Sequence, residues 1–599
     1  MLTDFLPTTR KELELRGWDY VDVVLFSGDA YIDHPSFGAA VIGRTLESIG
    51  LRVAIVPQPD WHGDFRDFKK LGVPRLFFAV TAGSMDSMVN HYTAARRRRS
   101  DDAYTPQARA GMRPDYCTIT YCNILRQLYP QTPIVIGGIE ASMRRLTHYD
   151  YWSDKLMPSV LVDSKADLLI YGMGEKPIKA IAEHFKHSNQ IPTDIPQTSY
   201  ISSQLPKANN LIILHSYEEC VSSKRSQAEN FRQIEEQSNS TNAATLVQKT
   251  GKEFVVINPP FEQMTTTELD QTYDLPYTRL PHPKYKDKRI PAYDMIRFSV
   301  CMHRGCFGGC AFCTISAHQG KQVTSRSKES ILREVEQIAS MPDFKGYLSD
   351  LGGPSANMYM MGGKNKELCK KCKRPTCLQP KICPNLNQDF APLLDIYRSV
   401  DKLPYIKKAF VGSGVRYDLM SEEYGEELIL KHVSGRLKVA PEHTAPQVLK
   451  IMRKPSFDLF EHFDQFFQKI NHKYSLNQQL IPYFISSHPG CKIEDMADLA
   501  IKTKQLNFHL EQVQDFTPTP MTLATEMYYT GLNPYTMEPV FVARTPEQKL
   551  SQRQFFFWYK KEYQQSIRQA LSKIHRPDLI NKLLNFNSGK PKGTTPNRS

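Results

Sequence analysis

The sequence predicts an α/β protein in two parts: a Rossmann-like parallel sheet over residues 1–285, then a partial (βα)6 barrel over residues 290–535. Three observations predict it. Apolar strand runs alternate with helix-period segments through the N-terminal half, and the alternation starts afresh from about residue 293. A Pro- and Tyr-rich stretch, DLPYTRLPHPKYKDKRIPA (274–292), reads as the linker between the two series. Glycines close several of the apolar runs, where open sheets gather their ligand loops.

In the first part, YVDVVLFS (20–27) reads as a buried strand. The helix AAVIGRTLESIG ends at Gly50, and LRVAIVPQ is the next strand. LFFAV (76–80), PIVIGG (133–138) and DLLIYG (167–172) continue the pattern, so Gly28, Gly137–Gly138 and Gly172–Gly174 are expected along one sheet edge. The polar stretch 220–250 reads as an inserted helix followed by a mobile connection. In the second part the expected strands are MIRFSV (295–300), YLSDLG (347–352), KAFVGS (408–413), RLKVAP (436–441), QLIPYFIS (479–486) and LEQVQDF (510–516). Six such units suit a partial barrel with reactive groups at the C-terminal strand ends. A Cys-rich insertion occupies 364–386, residues 536–585 read as a helical C-terminal region, and 586–599 has the composition of a disordered tail.

Hydrophobic residues make up 41% of the chain, which excludes wholesale disorder. No apolar run approaches the roughly 20 residues that cross a bilayer. The start, MLTDFLPTTRKELELRG, lacks the apolar core of a signal peptide, so the expected location is cytoplasmic, without membrane partners. In a reducing compartment clustered cysteines are metal ligands or catalysts more often than disulfide partners. Of the twelve, Cys117, Cys122, Cys220 and Cys491 stand apart, while the others fall within 301–313 and 369–383. The net charge of +13 is compatible with an RNA partner. Arg96 to Arg99 read first as a solvated helix face, with nucleic acid as the minority reading.

Cys306, Cys310 and Cys313 are spaced C-x3-C-x2-C just past the first strand of the second part. Three thiolates on one short loop each ligate one iron of a cubane cluster and leave the fourth iron open to a substrate or cofactor. A zinc knot would need a fourth ligand; Cys301 is available, but it lies at the strand end. Cys369, Cys372, Cys377 and Cys383 follow as C-x2-C-x4-C-x5-C, a set that suits either a closed zinc site or an auxiliary iron–sulfur cluster. Such a loop has too little apolar content to hold itself by packing, so a metal staple is expected.

The triplet, with Phe312 before its last cysteine, resembles the signature of the radical SAM superfamily. The wider segments CMHRGCFGGCAFCTI, DLGGPSANMYMMGG, VGSGVRYDL, LKVAPEHT, YFISSHPGC and DFTPTPMTLATEMYYTG resemble the YgiQ family within it, over most of the chain. The resemblance implies a [4Fe–4S] cluster on the three thiolates, chelated S-adenosylmethionine (SAM), and reductive cleavage to a 5′-deoxyadenosyl radical that acts on an unidentified substrate. Gly352 and Gly353 match the glycine motif whose backbone meets the SAM amino group, although Pro354 stands where the superfamily often has Glu. Arg416 and Glu442 are the candidates for SAM's charged or ribose groups. The resemblance also implies an electron donor such as flavodoxin or ferredoxin. Cobalamin-binding members place His under cobalt with an Asp-x-His-x-x-Gly loop. Here the loop reads Asp33-His34-Pro35-Ser36-Phe37-Gly38, a departure that speaks against cobalamin. The competing readings are a non-catalytic iron–sulfur redox sensor and a nucleic-acid-binding protein; a sensor has no need of a SAM pocket.

Overall fold

The computed structural model describes residues 2–584. The expected tail at 586–599 lies outside the described residues. Five strands, Val23–Ser27, Val53–Pro57, Phe77–Thr81, Ile134–Ile136 and Leu168–Ile170, pair in parallel in the order second, first, third, fourth, fifth. Alternate residues serve opposite faces, as strand geometry requires. Val23 and Leu25 join one apolar core with helix Glu175–His187, while Val24 and Phe26 join another with helix Cys117–Leu128. Both faces are therefore covered by helices, which is why these strands are almost wholly apolar, Ser27 and Thr81 standing at their ends.

The sheet continues further than expected. Thr198–Ser202 pairs antiparallel with the fifth strand, and Glu253–Ile257, Thr245–Thr250 and Leu211–Leu214 extend it to nine strands. The polar stretch 220–250 is thus helix Lys224–Ser238 and then a paired strand rather than a mobile connection. The expected linker is also welded down: Asp33 and Tyr31 carbonyls accept the N–H groups of Arg279 and His282, and Tyr285 is buried.

The second series retains the expected chain order in shorter pieces. Ser299–Cys301 pairs in parallel with Asp350–Gly352, and Tyr347–Leu348 with Lys408–Ala409. Arg436–Glu442, Gln479–Ser486 and Gln512–Asp515 form a parallel three-stranded sheet. Met295 and Ile296 belong to a helix that Pro291 starts, not to the first strand. One apolar core runs through this series and the C-terminal helices, and it takes in Tyr149, Tyr151 and Phe231 from the N-terminal half. Polar pairs cross the same boundary: Arg304 with Glu175 and Gln227 with Glu526, both buried, and Arg453 with Glu235, half-buried. No described helix is long and apolar enough to cross a membrane.

Candidate functional site

The cysteine loop is pinned at both ends, because His303–Arg304 pairs antiparallel with Thr324–Ser325. Within it, the Cys306 N–H donates to the Gly320 carbonyl (3.1 Å) and the Cys313 N–H to the Cys310 carbonyl (3.1 Å). Cys313 then caps helix Thr314–Gln319. The Ala311 N–H donates to Met452, and the Ala311 carbonyl accepts from Ala524, so neighbouring elements hold the loop's middle. The Phe312 ring packs edge-on against His488, with 5.8 Å between centroids.

The three thiols are half-buried. Burial pushes Cys306 up against the pull of Arg416, and burial with the neighbouring thiols pushes Cys313 up to about 12. Thiols so placed need a strong cation to become thiolates, which is what a metal centre supplies. Cys301 stands apart. Its thiol donates to the His303 carbonyl (3.2 Å), and its charged and polar neighbours are Tyr273, Arg304, Arg326 and Glu334.

Arg416 reaches the triplet. Its Nη1 lies 3.8 Å from the Cys310 Sγ, while Nε and Nη2 fork onto Asp418 at 3.0 and 2.6 Å. Burial works against the guanidinium charge, and Asp418 and Cys310 more than offset it. Glu442 sits at a register shift between paired strands with φ +68°, a left-handed conformation that only a constrained non-glycine residue holds. One carboxylate oxygen is 3.9 Å from the Lys454 Nζ, and the other is buried without a partner. Burial raises its pKa, with Lys454 opposing. Gly352 ends its strand beside Cys301, and a side chain there would run into Ser413; one at Gly353 would run into His303. His443 accepts the N–H groups of Thr444 and Ala445, and His488 supports Phe312 and Phe516, so both do structural work.

The second cysteine group is docked on the first. The Phe307 carbonyl accepts from the Cys377 N–H (3.0 Å) and from the Thr376 hydroxyl (3.1 Å). Gly309, at φ +59°, brings its backbone so close that a Cβ would lie 2.6 Å from the Pro375 carbonyl. Lys321 donates to the Arg374 carbonyl (2.6 Å) and lies 3.8 Å from the Cys372 Sγ. Burial pushes Cys377 up to about 11, with Lys321 opposing and Cys383, Cys372 and Cys369 adding to the rise.

The expected ligand edge of the N-terminal sheet differs between its two ends. Gly28 is packed against Ala82 and Cys117, whereas Gly172 borders a cavity of about 190 Å³. Arg145, Tyr171 and Gln197 form its sheet side, and His318 and Lys321 its cysteine-loop side. Burial drives the His318 pKa down to about 4. A smaller recess lined by Arg145, Ala317, Cys310 and Cys313 adjoins it. Sequence reasoning did not single out Arg145, His318, Lys321 or Thr376; the one available signal was the Arg144–Arg145 pair just past Gly137–Gly138. Arg96 to Arg99 are exposed on a loop, not on a helix.

Residues 5–299 match the sequence family described as Radical SAM N-terminal, and residues 511–584 match a domain of unknown function, DUF3362. The fold and these matches define a member of the radical SAM superfamily. A UPF0313 protein of Bacteroides thetaiotaomicron is 62% identical, covering 97% of this chain and 98% of its own. Those of Porphyromonas gingivalis (59%; 100% and 98%) and Methanocella arvoryzae (47%; 96% and 96%) are similar over comparable lengths. The chain belongs to the UPF0313 family, in agreement with the resemblance to the YgiQ radical SAM proteins read from the motifs.

Among solved structures, the radical SAM methyltransferase TsrM from Kitasatospora setae, with cobalamin and a [4Fe–4S] cluster bound, aligns at 13% identity and a TM-score of 0.47. The alignment covers 84% of this chain and 77% of that one. The same enzyme with tryptophan and a SAM analogue aligns equally, with 75% of that chain covered. The reading against cobalamin is corrected by this finding. A cobalamin-binding protein stands among the solved structures this chain aligns with, against the expectation that cobalamin is unlikely. A likeness at this level assigns no cobalamin to this chain either.

Proposed function

We propose that the chain is a radical SAM enzyme whose Cys306, Cys310 and Cys313 hold a [4Fe–4S] cluster at the mouth of a partial (βα)6 barrel. Gly352, Gly353, Arg416 and Glu442 would surround the SAM bound there. The observation that carries this reading is the triplet itself: three thiols on one pinned loop, facing Arg416 on one side and a recess leading to a cavity on the other. When bound, the cluster and SAM supply reductive cleavage to methionine and a 5′-deoxyadenosyl radical that abstracts hydrogen.

The chain's own groups have distinct tasks. Arg416, held by Asp418, offsets thiolate charge at Cys306 and Cys310. Glu442 offers its unpartnered oxygen to a cationic or hydroxyl donor, the kind SAM presents. The Gly352 carbonyl already accepts the Met302 N–H (2.7 Å), so backbone contacts with the SAM amino and carboxylate groups would fall to Gly353. Cys369, Cys372, Cys377 and Cys383 would hold a zinc ion or an auxiliary cluster that braces the loop through Phe307. A reduced flavodoxin or ferredoxin is the class of donor such a site draws on. RNA among the substrates is supported only by the net charge and the exposed Arg96–Arg99 loop.

The test is anaerobic incubation of the reconstituted protein with SAM and dithionite, assayed for 5′-deoxyadenosine. Product is expected from the wild type and none from Cys310→Ala. A full cluster whose EPR spectrum ignores SAM would refute the reading.

A further inference from the structure

The chain carries consecutive arginines, Arg144 and Arg145, both buried. Arg144 is paired with Asp86. Among the described residues Arg145 meets no carboxylate: its Nη1 donates to the Ser142 carbonyl (2.7 Å), its Nη2 to the Ser238 hydroxyl (3.0 Å), and its guanidinium lies 5.0 Å from the Tyr171 ring centroid. The other buried arginines show what this chain ordinarily does. Arg44, Arg113, Arg279, Arg304 and Arg326 each face an Asp or Glu. A buried cation without a counter-charge is costly, and the cost is recovered when an anion arrives.

The setting of Arg145 supplies the space for that anion. It lines both the 190 Å³ cavity and the recess beside Cys310 and Cys313. The cavity's other cations are Lys176 and Arg304, already paired with Glu268 and Glu175, and Lys321, which bonds only a carbonyl and lies near a thiol. Among the described residues its one lining acid is Glu262, which is exposed. The wall therefore holds an excess of positive charge. His318 adds an unpartnered Nδ1, and Thr241 an unpartnered hydroxyl.

We propose that this cavity is the substrate pocket and that it takes a small organic anion, its carboxylate or phosphate seated on Arg145. The proposal rests on the radical SAM reading for the word substrate, but anion binding is testable without it. Burial lowers the Arg145 pKa, with Tyr171 opposing, which agrees with a cation that lacks its partner.

The experiment titrates the reconstituted full-length protein calorimetrically with phenyl phosphate, benzoate and the neutral benzyl alcohol. At least one anion is expected to bind well ahead of benzyl alcohol, and the stronger of the two identifies the group. Arg145→Gln should weaken it by about ten- to a hundredfold, with Arg145→Lys in between, as expected for loss of a charged hydrogen bond. Should Arg145→Gln not fold, the wild type decides by a second route: the bound anion must shield Arg145 from phenylglyoxal, read by peptide mass spectrometry. Equal binding of benzyl alcohol, binding of neither anion, unchanged affinity in folded Arg145→Gln, or unshielded Arg145 would each overturn the proposal. Iron content and the EPR response to SAM are recorded on the same samples. Arg145-dependent anion binding in protein that ignores SAM keeps the pocket and removes the radical reading, and the reverse pattern does the opposite.

Discussion

Thr376→Val tests whether the second cysteine group braces the first. Thr376 is 2% exposed, and its hydroxyl donates to the Phe307 carbonyl (3.1 Å) while accepting the Leu378 N–H (3.0 Å). Valine keeps the shape and removes both bonds. The Phe307 carbonyl retains the Cys377 N–H, so that loss costs about 1 kcal/mol, whereas the stranded Leu378 N–H costs about 1–3 kcal/mol. The sum, about 2–4 kcal/mol, falls on the seam between the insertion and Cys306–Cys313. If the loop must stay closed to keep iron, chelator-driven iron loss should accelerate by about 30- to 900-fold, at 1.36 kcal/mol per decade. The assay follows the ferrous–chelator absorbance anaerobically, with Thr376→Ser as the control that retains the hydroxyl. Wild-type iron loss from a folded Thr376→Val protein would show that the two centres are independent.

Three further outcomes follow from particular contacts. Burial pushes Glu526 up to about 7, with the Gln227 bond opposing, so the folded chain binds the extra proton between pH 4.5 and 7. Stability should therefore fall by about 3 kcal/mol as pH rises across that window and level off above it. Glu526→Gln should flatten that slope in urea midpoints measured at pH 5 and pH 8; an unchanged difference would sink the assignment. Gly309→Ala adds a Cβ 2.6 Å from the Pro375 carbonyl at positive φ, so reconstitution should give markedly less iron per chain, whereas Gly414→Ala, in open space, should not. Arg304→Met strands Glu175 in the buried boundary and should cost about 3–5 kcal/mol, seen as a lowered urea midpoint that Glu175→Gln partly restores.

The N-terminal parallel strands were legible because both faces are buried and nearly every residue is apolar. The outer strands were not. Thr245–Thr250 and Glu253–Ile257 lie at or next to a polar stretch, and their hairpin is made by pairing rather than by composition. In the second series the order of strands was readable and their lengths were not, since Lys408–Ala409 is held largely by loop bonds such as Phe410 to Leu348. Spacing gave both cysteine groups. It could not give their contact, which runs through the main-chain carbonyl of Phe307. Nor could it separate Arg144 from Arg145, because the difference is whether a carboxylate more than fifty positions away comes to meet the side chain.

The boundary between the two halves has a consequence for synthesis. Glu175 and Glu235 leave the ribosome long before Arg304 and Arg453 are made, and Gln227 precedes Glu526 by some three hundred positions. A nascent N-terminal half can close its parallel sheet early, as domains commonly do. It must nevertheless wait with bare carboxylates and the uncovered rings of Tyr149, Tyr151 and Phe231 on the surface that the later half will seal. A fragment cut at the end of the first series should accordingly self-associate more than the complete chain, in which that surface is sealed.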